Sequence, residues 1–180
     1  MLFIIITGSK LGKTHFYEKI GRQGRRTIVP TYRAELGRFD GTGEKFHFRV
    51  TRDAAQIVFG QRKKRFLRGG ECPPSKTCVP YRGRIHFGTR NGFALLLFEA
   101  QSPTKNTLTG QGKVIRSEIM IHRGPSSSLG CMAVAGGKRG YRAWQRALQE
   151  FAATGSEEIL VFVEPRPQAD HDQYLSRPVG

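Results

Sequence analysis

The sequence predicts an α+β domain that is mainly β, a β-sandwich or barrel-like body with one principal helix near 138–154. Three observations predict it. The 22 glycines and nine prolines punctuate a chain of 180 residues too often for a helical bundle. Short apolar or alternating runs recur between those turns: LFIII, FHFRV, GFALLLF, SEIMIH and EILVFV. Only one stretch, KRGYRAWQRALQEFAAT, carries a helical period. The length suits one domain with a single core.

Taken in order, Leu2–Ile6 reads as a first strand, and residues 7–27 read as a polar, basic, glycine-containing loop. A strand is expected over Thr27–Arg33. GRFDGTGEKFHFRV predicts a hairpin: Asp40, Gly41 and Gly43 supply the turn, and Phe46, Phe48 and Val50 share one face. QIVFG is a further short strand. Residues 61–91 are the most basic and irregular part. GFALLLFEA is a buried strand, residues 101–113 a polar loop, and SEIMIH a strand that delivers His122 at its end. In the helix, Tyr141, Trp144, Leu148 and Phe151 recur on one face, and Gly155 is a natural stop. EILVFVEP is the last strand, and the tail from 166 reads as frayed. This divides the chain into an N-terminal strand and basic loop (1–27), a body (28–165) and a C-terminal tail (166–180).

The net charge of +16 should attract polyanions: nucleic acid, acidic lipid or an anionic cell-wall polymer. No run approaches the roughly 20 apolar residues of a membrane helix. The opening MLFIIITGSK is too short for a secretory h-region, so no ordinary export signal is expected.

The stretch IMIHRGPSSSLGCMAVAGG places His122 before a polar loop and Cys131 after a glycine. A thiol becomes nucleophilic as the thiolate, and an imidazole can take its proton. The oxyanion formed on attack needs donors, which backbone N–H groups commonly supply. Gly130 lets the backbone turn tightly there. The parts suit acyl transfer by a cysteine. The same residues also suit a buried structural cysteine and a structural histidine.

The stretch resembles the active-site motif of the L,D-transpeptidase (YkuD-like) family. That motif has a histidine closing a strand, a glycine soon after it, and then Ser-x-Gly-Cys. Here these are His122, Gly124 and SLGC, Ser128 to Cys131. The resemblance implies a β-rich catalytic domain over 28–165 with the loop at its mouth. It implies Cys131 as nucleophile, His122 as base, and an oxyanion and loop set around Gly130, Ser128 and Gly124. It implies peptidoglycan stem peptides as substrate, extracytoplasmic action, and no metal or cofactor. The loop is compact, as in relatives from phages and from antibacterial toxins delivered by secretion machines. Such an effector implies an immunity or delivery protein as partner. The family's basic residue two after the cysteine is replaced by Ala133, and Leu129 stands where a histidine is common. Arg123, or Lys138, is the candidate to contact a substrate carboxylate instead.

Other signals lead less far. TGSKLGKTHFY resembles a phosphate-binding loop, but the pattern needs glycine where Thr7 stands. Cys72 and Cys78, in CPPSKTC, lack a second pair for a metal site, and a small disulfide loop is the favoured reading. RKKRFLR reads as a solvated face or a polyanion contact, with Phe66 the one residue there able to stack on a base. The competing overall reading is a basic module that binds nucleic acid or another anionic polymer, with Cys131 structural.

Overall fold

The apolar run at Leu2–Ile6 needs cover on both sides, and a closed sheet supplies it. The computed structural model describes residues 1–20, 23–52, 55–58, 63–66, 72–88, 92–102, 107–109, 116–124, 131–153, 159–166 and 176–178. In chain order the elements are β1 (Leu2–Ile20), β2 (Gln23–Arg38), β3 (Phe46–Thr51), β4 (Ala55–Val58), β5 (Lys63–Phe66), β6 (Tyr81–Gly88) and β7 (Gly92–Phe98). They continue with β8 (Thr107–Leu108), β9 (Arg116–Ser117), β10 (Met120–Arg123), β11 (Met132–Val134), helix α1 (Gly137–Ala152), β12 (Ile159–Val163) and β13 (Ser176–Pro178).

The main sheet runs β1-β12-β6-β7-β10-β11-β3-β2, and β2 pairs back to β1, so eight strands close into a barrel. Two pairings are parallel, β1 with β12 and β10 with β11; the others in the ring are antiparallel. Alternation decides which side chains enter the barrel. Ile4, Leu36, Val50, Leu95, Ile121 and Val161 are all fully buried in one core cluster. The predicted hairpin forms between β2 and β3, with Leu36 opposite Phe46. Asp40 Oδ1 accepts from the Thr42 N–H (3.0 Å) and hydroxyl (2.7 Å), and Gly41 and Gly43 take positive φ of 72° and 79°.

Helix α1 closes one mouth of the barrel. Trp144 is fully buried, with ring centroids 5.5 Å from Phe93, 6.4 Å from Phe48 and 5.9 Å from Tyr141. The Tyr141 hydroxyl donates to the Phe93 carbonyl at 2.8 Å. An indole buried this way contributes on the order of 5 kcal/mol from apolar area alone. The other mouth is plugged by the segment after Cys72. Ser75 N–H donates to the Val163 carbonyl at 2.9 Å, and Tyr81 donates to the Pro73 carbonyl at 2.9 Å. Arg52 is buried there, donating to the Thr7 carbonyl at 3.0 Å and the Glu164 carbonyl at 2.7 Å.

Five expectations are corrected. Residues 7–20 are not a loop: β1 runs on to Ile20 and pairs with β2 as a two-stranded ribbon. Backbone ladders hold a ribbon without an apolar alternation, so the pattern gave no sign of it. The phosphate-loop reading falls with this, because Thr7–Thr14 lies in a strand and no helix follows. Residues 61–91 contain β6, a stave of the barrel. Its inward side reads Tyr81, Gly83, Ile85, and the glycine hides the pattern; a Cβ at Gly83 would meet Leu95 Cδ2 at 2.8 Å. The tail is not all frayed, since β13 pairs antiparallel with β2. Residues 101–113, expected as a loop, contain β8, which pairs with β9. Gly155 lies outside the described residues. No helix among the described residues is long and apolar enough to cross a membrane.

Gly140 gives a test of the helix cap. An alanine raises helix propensity by about 1 kcal/mol. Its Cβ would lie well inside contact distance of the Ala135 carbonyl oxygen, which is backbone and cannot swing aside. Gly140→Ala is therefore expected to lower the unfolding free energy by about 1–3 kcal/mol in a denaturant titration, where propensity alone predicts a gain.

Candidate active site

The parallel pair β10–β11 positions the site. Ile121 pairs with Met132 and His122 with Ala133. Ile121 and Met132 both face the core, so His122 and Ala133 face the outer side of the sheet. Cys131 stands one residue before Met132, just outside β11 and two register positions from His122. With about 3.3 Å of rise per residue and about 4.8 Å between strands, the two Cα atoms fall about 8 Å apart. The hydrogen bonds of the two side chains run to different carbonyls, His122 Nδ1 to Arg123 and the Cys131 thiol to Glu118.

His122 is 3% exposed. Its Nδ1 donates to the Arg123 carbonyl at 2.8 Å. A carbonyl can only accept, so the proton sits on Nδ1 and the lone pair is on Nε2. Burial lowers the His122 pKa below its ordinary 6.5, against a smaller upward push from the Arg123 carbonyl. The ring is thus neutral at pH 7 and able to accept a proton. Outer-face cover comes from the ribbon: Val29 packs on Ala133, and Thr31 is fully buried.

Cys131 is half-buried, at the plugged mouth, and its thiol donates to the Glu118 carbonyl at 3.4 Å. Glu118 holds a positive φ of 56°, a conformation that costs a non-glycine residue energy. Cys72 lies close enough to Cys131 to feel its charge. Burial pushes the Cys72 thiol up to about 12, partly opposed by Arg52 and reinforced by Cys131 and Glu99. The mouth therefore gathers two thiols, a buried guanidinium and the Glu99 carboxylate.

The structure thus sets His122 on β10 and Cys131 directly before the adjoining β11, with Gly124 buried just past the end of β10. Gly130 and Ser128 lie outside the described residues. Arg123 is not gathered with Cys131. It is exposed and close enough to Tyr141, at the helix mouth, to lower that hydroxyl's pKa against the larger upward effect of burial. Strand alternation separates it from its neighbour His122. Lys138 is exposed at the start of α1, past the far end of β11. Arg52 is the cation at the Cys131 mouth, and sequence reasoning missed it because nothing in VTRDAA marks a residue that folds inward. The Cys72–Cys78 disulfide is also corrected: both are free thiols. Cys72 faces the core beneath Tyr81, while the Lys76–Val79 turn carries Cys78 outward with a φ of 61°. Among the described residues no group of three His, Cys, Asp or Glu side chains converges as a metal site. Comparison with known proteins finds no matching family model, no matching curated protein and no matching solved structure.

Two predictions follow from these environments. His122 is neutral when folded but titrates near 6.5 when unfolded. Protons then bind the unfolded chain preferentially below that pH, so stability is full above 6.5 and falls as pH drops through the folded pKa. Denaturant midpoints measured from pH 7.5 to pH 5 (about the window of this titration) should fall less in His122→Gln than in wild type. The thiols should also separate in native alkylation at about pH 8, where a Cys72 pKa of about 12 leaves about one thiolate in ten thousand. Mass mapping is expected to show Cys78 labelled readily and Cys72 labelled only after denaturation.

Proposed function

We propose that the protein is a cysteine-dependent peptidoglycan acyltransferase of L,D-transpeptidase type, acting on stem tetrapeptides. The observation that carries this reading is the parallel pairing of β10 with β11. It sets a tautomerically fixed, neutral His122 beside the strand that begins directly after Cys131. The resemblance of the His122-to-Cys131 stretch to that family's motif, and a mainly β barrel with Cys131 at a mouth, support the same reading.

In the reaction, Nε2 of His122 takes the Cys131 proton. The thiolate attacks the carbonyl between the third and fourth stem residues. Protonated His122 then gives its proton to the leaving amine, and a thioester remains on Cys131. Water resolves the thioester as a carboxypeptidase does; an amino acid or a second stem peptide resolves it by exchange or cross-linking. Arg52 favours negative charge at this mouth, and backbone N–H groups of the loop ending at Cys131 are the oxyanion donors this chemistry calls for. The work of such an enzyme is extracytoplasmic, and an antibacterial effector delivered by a secretion machine is the setting the compact motif suggests.

The test is incubation with purified muropeptides and detection by mass of loss or exchange of the terminal D-residue. Cys131→Ala should abolish turnover, and His122→Gln should lower kcat/KM by about 10²–10⁴. Because burial lowers His122, the acid limb of the pH–rate profile should lie below the ordinary 6.5. Equal behaviour of wild type and Cys131→Ala sinks the enzymatic reading and leaves a basic binding module with a structural Cys131.

A further inference from the structure

A hollow of about 640 Å³ opens at the opposite end of β11 from Cys131, between the outer face of β2 and β3 and the start of α1. Arg33 and Arg49 line it and are direct cross-strand partners. Like charges set opposite each other on a sheet repel. Among the described residues no carboxylate lies within ion-pair distance of either; the nearby Glu35 is taken by Lys45 at 3.0 Å and approached by His47 at 3.9 Å. Ala143 lines this hollow and also a second one along α1, whose other lining residues are Lys138, Arg139, Arg142 and Arg146. The two hollows therefore adjoin at Ala143. Lys138, Arg142 and Arg146 repeat every four residues, so their stems rise along the helix in steps of about 6 Å. The first turn of α1 carries no acidic residue, and its N-cap Gly136 offers no side-chain cap. The helix dipole adds to the positive field at the junction.

We propose that this groove binds a linear polyanion with a phosphodiester backbone and no stacking bases, an anionic cell-wall polymer. Guanidiniums match phosphate oxygens in paired hydrogen bonds, and a row of cations at regular intervals matches a chain of regularly spaced phosphates better than a single compact anion. Base-stacking proteins place exposed aromatic rings between their cations. In this groove the rings are Phe46, which is half-buried, Phe48, which is 8% exposed, and the exposed imidazole of His47, which faces the Glu35 carboxylate at 3.9 Å, while the exposed apolar residue is Leu11. The groove thus reads backbone charge. It acts independently of the chemistry at Cys131.

The test is fluorescence anisotropy of the full chain with labelled poly(glycerol phosphate), set against single-stranded and duplex oligonucleotides of equal charge. Wild type is expected to bind the base-free polymer with an affinity that falls steeply with salt. The double variants Arg33→Ala/Arg49→Ala and Arg139→Ala/Arg142→Ala should each weaken binding by roughly tenfold or more and lower the salt slope by about one to two. Arg33→Lys/Arg49→Lys keeps the charge and should retain most of the affinity. Cys131→Ala should bind as wild type, so this proposal and the enzymatic one fail separately. Unchanged binding by both alanine pairs overturns the proposal. Tighter binding of either oligonucleotide overturns it too, and makes the groove a nucleic-acid surface.

Discussion

Closure of the sheet at β1 is the constraint on which the rest of the structure depends. The five residues from Leu2 to Ile6 pair parallel with Ile159–Val163 on one side and antiparallel with Ala34–Arg38 on the other. The first and last long strands of the chain thereby become neighbours, and no edge of the ring is left unpaired. An open sheet of this composition would expose backbone donors along two edges beside apolar side chains, an invitation to pair with other chains. Closure also creates two mouths, and both must be filled. One takes the aromatic face of α1 with Trp144 at its centre; the other takes the Cys72–Ser75 segment and the buried Arg52.

The buried guanidinium follows from the same closure. Arg52 donates to the carbonyls of Thr7 and Glu164, which lie just past the paired ends of β1 and β12. Its plane lies 5.4 Å from the Tyr32 ring, which Arg166 also approaches, at 5.2 Å. Burying a charge is costly unless it is hydrogen-bonded. Here the carbonyls accept from it where strand pairing has ended. The arrangement puts a cation near the Cys72 thiol as a by-product of tying the barrel shut.

Parallel strands need a long crossover, yet β10 and β11 are joined by few residues. The loop between His122 and Cys131 carries three serines, two glycines and a proline, the residue types that let a chain reverse and return beside itself. That return is what sets Cys131, directly before β11, beside the strand that carries His122. A separate set of cations, Arg33, Arg49, Lys138, Arg139, Arg142 and Arg146, lies at the opposite end of β11 and along α1. Catalytic chemistry and polyanion binding, as proposed, therefore sit at different ends of one short strand.

Much of this was written in local pattern. The mainly β class, the β2–β3 hairpin with its Asp40 and Gly41 turn, the buried strand at 92–98, the strand ending near His122 and helix α1 all follow from periodicity and turn chemistry, because those depend on neighbouring residues. Where the pattern was silent, the reason was tertiary. Backbone pairing alone carries β1 beyond Ile6, Gly83 conceals β6 by making room for Leu95, and β13 exists only because β2 offers it an edge. The His122–Cys131 motif was visible as spacing. That β10 pairs parallel with the strand beginning after Cys131, that Arg123 turns to the helix mouth, and that Arg52 and Cys131 both lie near Cys72 were decided by barrel closure, which joins residues far apart in the chain. Sequence alone determined the helix and most of the apolar core strands; the extension of β1, the strands β6 and β13, and the order in which the strands meet came from the requirement that every edge and every apolar face be covered at once.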